Sequence, residues 1–285
     1  MSMNTGTLFV VATPIGNRAD ITERAIHVLS DVDLIAAEDT RHSKSLLQFL
    51  NIATPLVAYH EHNEEVRTPQ LIEKILRGQS IALISDAGTP LISDPGYRLV
   101  KAAHEAGIKV SPLPGACAAI AALSVSGLPT DRYRFEGFPP AKSLARQAYF
   151  EGLIKESATL IFYESCHRIR ASLADMVAIF GDQRIAVLAR EITKAFETIR
   201  KAPLSELLVL VSEDENQRKG EFVLIIQGAE VDDAESSVVQ LDVDRLLEIL
   251  VNELPVKQAS ELVAKITGFK KNQLYKKALE MKSSD

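Results

Sequence analysis

Five short apolar runs punctuate the first half of this 285-residue chain, at 8–12, 34–37, 56–59, 81–84 and 109–112. Each reads as a short strand buried on both faces. The segments between them, 20–30, 43–50, 64–77 and 97–106, carry helical spacing, and Gly78 and Gly107 stand just past two of these, where helices stop. Repeated strand–helix units predict a mainly parallel sheet with helices on both faces. They also predict where a ligand sits, because open α/β sheets bind at the carboxyl ends of their strands.

The most informative strand end is 81–96. Its apolar strand runs into Ser85, Asp86, Ala87, Gly88, Thr89 and Pro90, and a second turn follows at Ser93-Asp94-Pro95-Gly96. Small residues there let backbone amides approach a ligand; an ordinary strand–helix connection is the plainer reading. Asp94 suits a helix N-cap and Pro95 the first helical position. The segment 115–125 is a helix of small residues, suited to close approach of either a ligand or a neighbouring sheet.

A turn-rich segment, 127–131, separates this half from a second α/β region. Strands are expected at 133–138, 159–163, 184–189, 196–201 and 221–227, with helices at 143–155, 169–180 and 203–211. The residues between 189 and 196 are too few for a crossover helix, so some of these strands pair antiparallel. The polar, acidic stretch near 230–241 reads as a linker. Three helical patterns follow, at 243–253, 256–266 and 272–281. The domains expected are therefore 1–126, 127–229 and a helical module at 242–285.

A formal net charge of −6 argues against a wholly basic nucleic-acid binder, though not against a local basic face. The tail supplies such a face. Lys257, Lys265, Lys270, Lys271, Lys276, Lys277 and Lys282 stand against Glu261 and Glu280, a local excess of five positive charges. The apolar runs are too short to span a bilayer, and the first residues lack the pattern of a secretion signal, so a cytoplasmic location is expected. Cys117 and Cys166 have no metal-ligand spacing and read as small apolar residues.

Several polar loops follow strands. The first, 12–17, is neither a dinucleotide-binding nor a Walker loop. Glu38, Asp39 and Arg41 lie in a loop that is either an active-site edge or a turn with a helix cap. His60 and His62 have the alternation of metal ligands, but a third ligand is missing, so contacts to bases or phosphates are preferred. Tyr163–Arg168 and Ala189–Lys194 bring further polar groups to strand ends. Together these loops predict a cleft between two lobes.

The motifs Thr13-Pro-Ile-Gly-Asn17, Ala37-Glu-Asp-Thr-Arg41, Ser85-Asp-Ala-Gly-Thr-Pro90, Ser93-Asp-Pro-Gly96, Pro114-Gly-Ala116, Tyr163-Glu-Ser-Cys-His-Arg168, Arg190-Glu-Ile-Thr-Lys194 and Lys219-Gly-Glu-Phe222 occur in this order. In them the chain resembles, over nearly its whole length, the tetrapyrrole methylase superfamily, and within it the branch acting on ribosomal RNA. The resemblance implies a two-lobed tetrapyrrole-methylase-like α/β fold, a small C-terminal helix-turn-helix-like module, S-adenosylmethionine held between the lobes, and a homodimer. It implies 2′-O-methylation of a cytidine in the decoding region of 16S rRNA, with the small ribosomal subunit as partner and no membrane or metal. The cofactor residues it implies are Pro14, Ser85, Asp86, Ala87, Gly88, Thr89, Ile92, Gly115, Ala116, Cys117, Ala118, Phe162, Tyr163, Ala189, Gly220, Glu221 and Phe222. Asp94 is left to start the next helix.

Expected RNA contacts are Arg41, His62, His167, Arg168, Arg190, Lys270, Lys271, Lys276 and Lys277. Candidates for the chemistry are Asp39, Glu38, Glu191, Lys194 and His60, with Asp39 favoured because its loop leaves a first-lobe strand. Members that act on tetrapyrroles carry Gly-Asp-Pro where this chain has Gly88-Thr89-Pro90, which argues against a tetrapyrrole substrate. The alternatives are a methyltransferase of the same fold acting on a tetrapyrrole or other small molecule, and a non-catalytic RNA-binding assembly factor.

Overall fold

The computed structural model describes residues 5–230, 233–267 and 269–282. The chain divides into two units, 1–229 and 230–285.

The first unit holds two five-stranded sheets. β1 (Thr7–Val11), β2 (Leu34–Ala37), β3 (Leu56–Ala58), β4 (Ile81–Ile84) and β5 (Lys109–Leu113) form the first, in the order β3-β2-β4-β1-β5. All four pairings are parallel, as the alternating pattern predicts. Side chains alternate across a strand, and two cores result. Ile35, Ala37, Ala82 and Ile84 face one core with α1 (Glu23–Asp31) and α2 (Thr40–Phe49). Ala36, Ile81 and Leu83 face the other with α3 (Glu64–Leu76) and α4 (Tyr97–Glu105). Burial on both faces is why these strands are apolar throughout.

The second sheet is mixed. β6 (Tyr133–Gly137), β7 (Thr159–Ser165), β8 (Ile185–Arg190), β9 (Thr198–Pro203) and β10 (Glu221–Ile226) run in the order β6-β7-β10-β8-β9. β6 and β7 are parallel; the other three pairings are antiparallel, including β8 with β9. One face packs on α6 (Ser143–Glu151), α7 (Ile169–Phe180) and α8 (Leu204–Glu213). The other receives α5 (Ala118–Ser126) through Ala119, Ala122 and Leu123 against Ile161, Val187, Val223 and Ile225. Thus the small-residue helix, which precedes the second sheet in sequence, packs on it in space, and its alanines permit the close approach.

α4 begins where the helical spacing at 97–106 predicts, but not at the Asp94-Pro95 cap. Its N-cap is Gly96, at φ 133°, rather than Asp94. Ahead of the cap the backbone is left-handed at Leu91 (φ 73°) and Ser93 (φ 65°).

In the second unit α9 (Asp233–Glu253) already begins inside the stretch expected to be a linker. It packs with α10 (Val256–Thr267) and α11 (Lys271–Lys282) around Leu247, Val251, Ala259, Val263, Leu274 and Ala278.

Candidate active site between the two sheets

A cavity of about 370 Å³ opens where the carboxyl ends of β1 and β4 meet β7, β10 and the start of α5. Its wall includes Ile15, the Ala87–Thr89 loop, Ile92–Asp94, Cys117, Ala118, Phe138, Tyr163–Cys166, Ile192 and Gly220–Val223.

Backbone bonds build the first-lobe side. Thr13 and Gly88 exchange bonds of 2.9 and 3.1 Å, tying the first loop to the β4 loop. The Thr89 hydroxyl donates to the Ala116 carbonyl at 3.0 Å, fastening the same loop to the approach of α5. Gly88 sits at φ 85°, and a Cβ there would lie 3.1 Å from Ile15 Cγ2 and 3.4 Å from the Ala116 oxygen. On the opposite wall the Tyr163 hydroxyl accepts from the Ala119 amide at 3.2 Å, in the first turn of α5. Phe138 packs edge-on against that ring, with centroids 5.6 Å apart.

A second set of loops closes the rim. Glu191 (φ 52°) and Thr193 (φ 66°) flank Ile192, just as Leu91 and Ser93 flank Ile92. Both isoleucines line the cavity. Four left-handed non-glycine residues around two wall residues store backbone strain of about 1–3 kcal/mol each, a pattern that concentrates at ligand sites. The Asn17 amide donates to the Thr193 hydroxyl at 3.1 Å. Lys194 lies over Gly16, where a Cβ would meet its Cγ at 2.5 Å. Its ammonium donates to Glu191 and Glu221 at 2.8 Å each.

Not every residue implied by the resemblance lines this cavity. Phe162 and Tyr163 are neighbours on one strand, so their side chains point to opposite faces of the sheet. Tyr163 lines the cavity, while Phe162 is fully buried in the outer core beside Phe150. Ala189 is buried under α5. Gly115 packs on Ala12, Ser85 lies behind the loop, and Pro14 leaves the wall position to Ile15. Asp86 braces strand ends: its carboxylate accepts from the Asp39 amide at 3.0 Å, and its own amide donates to Glu38 at 3.3 Å.

Asp39 is the N-cap of α2, so the helix-cap reading of its loop holds. The Arg41 side chain and amide hold its pKa at about 2. A group so acidic is a poor proton acceptor at neutral pH, and it is not among the wall residues. Burial raises the pKa of Glu38. For Glu191, burial acts upward but is outweighed by hydrogen bonds from Lys194 and the Glu221 amide, which lower it. The His60 ring bonds Asn63 at 3.1 Å, beside exposed His62.

Arg190, expected to bind RNA, is buried, and its guanidinium donates to the Lys219 and Phe196 carbonyls at 2.7 and 3.0 Å. Arg168 pairs with Glu164 at 3.0 Å, while His167 and Arg41 are exposed. In the second unit Lys271 bonds Glu261 and Lys277 bonds Asp244, each at 2.6 Å; Lys270 and Lys276 are exposed.

The wall also contains Ile15, Ser93, Asp94, Phe138, Glu164, Ser165, Cys166, Ile192 and Val223, none of them among the cofactor residues the resemblance implies. Asp94 matters most. Burial pushes its carboxyl up to about 6 from an ordinary 3.8, and Glu38 and Asp86 add to this. A carboxyl raised in the fold costs stability wherever the unfolded chain would have ionised it, because the fold must then hold a proton or bury the charge. That cost is absent below about pH 4, grows as pH rises and is complete above about pH 6. Asp94→Asn should therefore raise the melting temperature at pH 8 and leave it unchanged at pH 4; the opposite order in calorimetry would reverse the sign argued here.

Residues 7–208 match the family described as Tetrapyrrole (Corrin/Porphyrin) Methylases, and residues 237–282 match the RsmI C-terminal HTH domain. The chain is 56% identical over 275 residues to ribosomal RNA small subunit methyltransferase I of Escherichia coli O157:H7, covering 96% of this chain and 95% of that protein. It is 54% identical to the protein of the same name from Pseudomonas aeruginosa, covering 98% of each. Uroporphyrin-III-C-methyltransferase from Thermus thermophilus shares the fold at TM-score 0.56 and 20% identity, covering 78% of this chain and 94% of that one. A diphthine synthase does so at TM-score 0.58 and 14% identity, covering 78% and 89%. The chain belongs to the tetrapyrrole (corrin/porphyrin) methylase family and, within it, to the family of the ribosomal RNA small subunit methyltransferases I.

Proposed function

We propose that this protein methylates the ribose 2′-hydroxyl of a cytidine in the decoding region of 16S rRNA, acting on the small ribosomal subunit in the cytoplasm as a homodimer. The chain is an S-adenosylmethionine-dependent methyltransferase. The observation that carries the reading is the cavity at the strand ends. Its volume of about 370 Å³ falls within the size range of small-molecule sites. Its wall combines apolar side chains with the close backbone of Gly88 and Gly220, and among the described residues no lysine or arginine lines it. This suits a nucleoside with a positively charged sulfur. Ala87–Thr89, Cys117, Ala118 and Gly220–Phe222 would hold it.

When bound, the cofactor supplies an activated methyl group. The protein's own contribution is then alignment and proton handling. Holding the hydroxyl in line accounts for roughly 7–11 kcal/mol of barrier reduction. Lys194, fixed at the rim by Glu191 and Glu221, provides a positive charge that favours an ionised hydroxyl or steadies a phosphate. Glu38, whose pKa burial raises, is the better proton acceptor through water, since Lys194 and the Glu221 amide lower Glu191.

Thr89 in place of an aspartate disfavours a tetrapyrrole substrate. The strained, closely lined cavity disfavours a purely structural RNA-binding role. The direct test is methyl incorporation from labelled cofactor into 30S particles and free 16S RNA, followed by mapping of an alkali-resistant linkage. A methylated base in place of a ribose mark would overturn the assignment. Exposed Lys270 and Lys276 are proposed to contact phosphates. Replacing both with alanine should lower RNA affinity and reduce the slope of log K against log salt by about two, with cofactor binding unchanged; an unaltered slope would remove these lysines from the RNA interface.

A further inference from the structure

Among the described residues three carboxylates line the cavity, and two of them have cationic partners. Glu164 is held by Arg168 at 3.0 Å, by the Ser165 amide at 2.8 Å and by the Ser172 hydroxyl. Glu221 is held by Lys194 at 2.8 Å. Asp94 has no cationic partner among the described residues. The Ser85 hydroxyl, which donates to the Gly88 carbonyl at 3.3 Å, lies near enough to favour its ionised form, and Glu38 and Asp86 are the charged groups that act on it from the ends of β2 and β4. Across the cavity stand the Tyr163 phenol and the Cys117 thiol. The phenol is pushed up, first by burial, so it stays neutral at physiological pH.

Asp94 thus holds an uncompensated negative charge in a half-buried wall, facing two more carboxylates. No helix depends on it, since α4 is capped at Gly96. The chain adopts left-handed backbone at Leu91 and Ser93 in the segment that carries Ile92 and Asp94 into the wall. Strain and like-charge crowding both disfavour this arrangement in the absence of a ligand; a cation in the cavity would reverse the electrostatic cost.

We propose that Asp94 is the counter-charge for the cofactor's sulfonium, and that it makes the pocket prefer the donor to its spent product. The inference rests on the methyl-donor reading above. In the transfer the carbon–sulfur bond breaks with its electron pair left on sulfur, the methyl carbon bonds the ribose oxygen, and the hydroxyl proton passes through water to a nearby carboxylate. Sulfur becomes a neutral thioether, so the attraction to Asp94 exists for the donor and vanishes for the product. Product release and reloading are favoured by the same carboxylate.

The test is calorimetric binding of S-adenosylmethionine and S-adenosylhomocysteine to the full chain and to Asp94→Asn at pH 7.5. The expected result is a loss of about tenfold or more for the methionine form and less than threefold for the homocysteine form, with the reverse preference never appearing. Equal losses would place the carboxylate on the amino group that both ligands share, and would overturn the proposal, as would no loss in either. Should the variant fail to fold, the wild-type ratio decides. It should fall as pH drops from 7.5 to 5, and a constant ratio overturns the proposal. Failure of wild-type protein to bind either ligand is a different outcome: it removes the methyl-donor reading itself, and this inference with it.

Discussion

Arg146→Ala should lower the melting temperature of the first unit by about 10 °C, the largest stability loss expected from a single side chain on its outer face. Arg146 is 2% exposed and its partner Asp175 7%. Its Nε and Nη2 donate to the Asp175 carboxylate, while Nη1 donates to the Ala141 carbonyl at 3.1 Å. Ser143 and Gln147 complete the shell around Asp175 at 3.1 and 2.6 Å. Burial acts to raise Asp175, but these donors and the guanidinium charge outweigh it. Truncating the arginine leaves a carboxylate in a site with no cation, which costs about 3–5 kcal/mol. For a domain of this size each kcal/mol moves the midpoint by roughly 2–4 °C. The paired replacement Arg146→Met with Asp175→Leu removes both charges and should recover most of the loss. If the double variant melts as low as the single one, the unpaired charge is not the cause. The same arginine ties down the loop that leads from Phe138 to α6, so Arg146→Ala should also loosen the cavity rim and weaken cofactor binding.

The fold of the first sheet was legible because its strands are buried on both faces. Segments 34–37 and 81–84 coincide with β2 and β4, since every residue there must be apolar. In the second sheet, the short gap between 189 and 196 correctly implied antiparallel pairing of β8 and β9. What sequence concealed was backbone conformation at ordinary residues. Glycine announces a left-handed turn; Leu91, Ser93, Glu191 and Thr193 do not. These residues shape the segments around Ile92, Asp94 and Ile192, so the wall was under-read wherever they act. The Asp-Pro pair was given its usual meaning, a helix start, and the chain uses it before the start. Alternation along β7 was available and would have separated Phe162 from Tyr163, because neighbours on a strand cannot share a face.

Gly88→Ala should weaken cofactor binding tenfold or more at a stability cost close to that of Gly107→Ala, which provides the control. Both glycines have positive φ, 85° and 68°. An alanine in that region costs about 1–2 kcal/mol by backbone strain alone, so the two variants should melt within a few degrees of one another. Their surroundings differ. A Cβ at Gly107 meets nothing within 4 Å, whereas at Gly88 it meets Ile15 at 3.1 Å and the Ala116 carbonyl at 3.4 Å. Gly88 is also bonded through its amide and carbonyl to Thr13, so the loop cannot retreat without breaking the link between the first and fourth strand ends. The methyl must therefore displace Ile15, one of the wall residues, or distort the Ala87–Thr89 backbone that lies against the ligand. A binding loss of tenfold or more is expected for Gly88→Ala and none for Gly107→Ala, read by calorimetry with S-adenosylhomocysteine. Equal affinity in the two variants would mean that the β4 loop tolerates a side chain where the close backbone approach was inferred, and the cofactor would have to lie against the other wall.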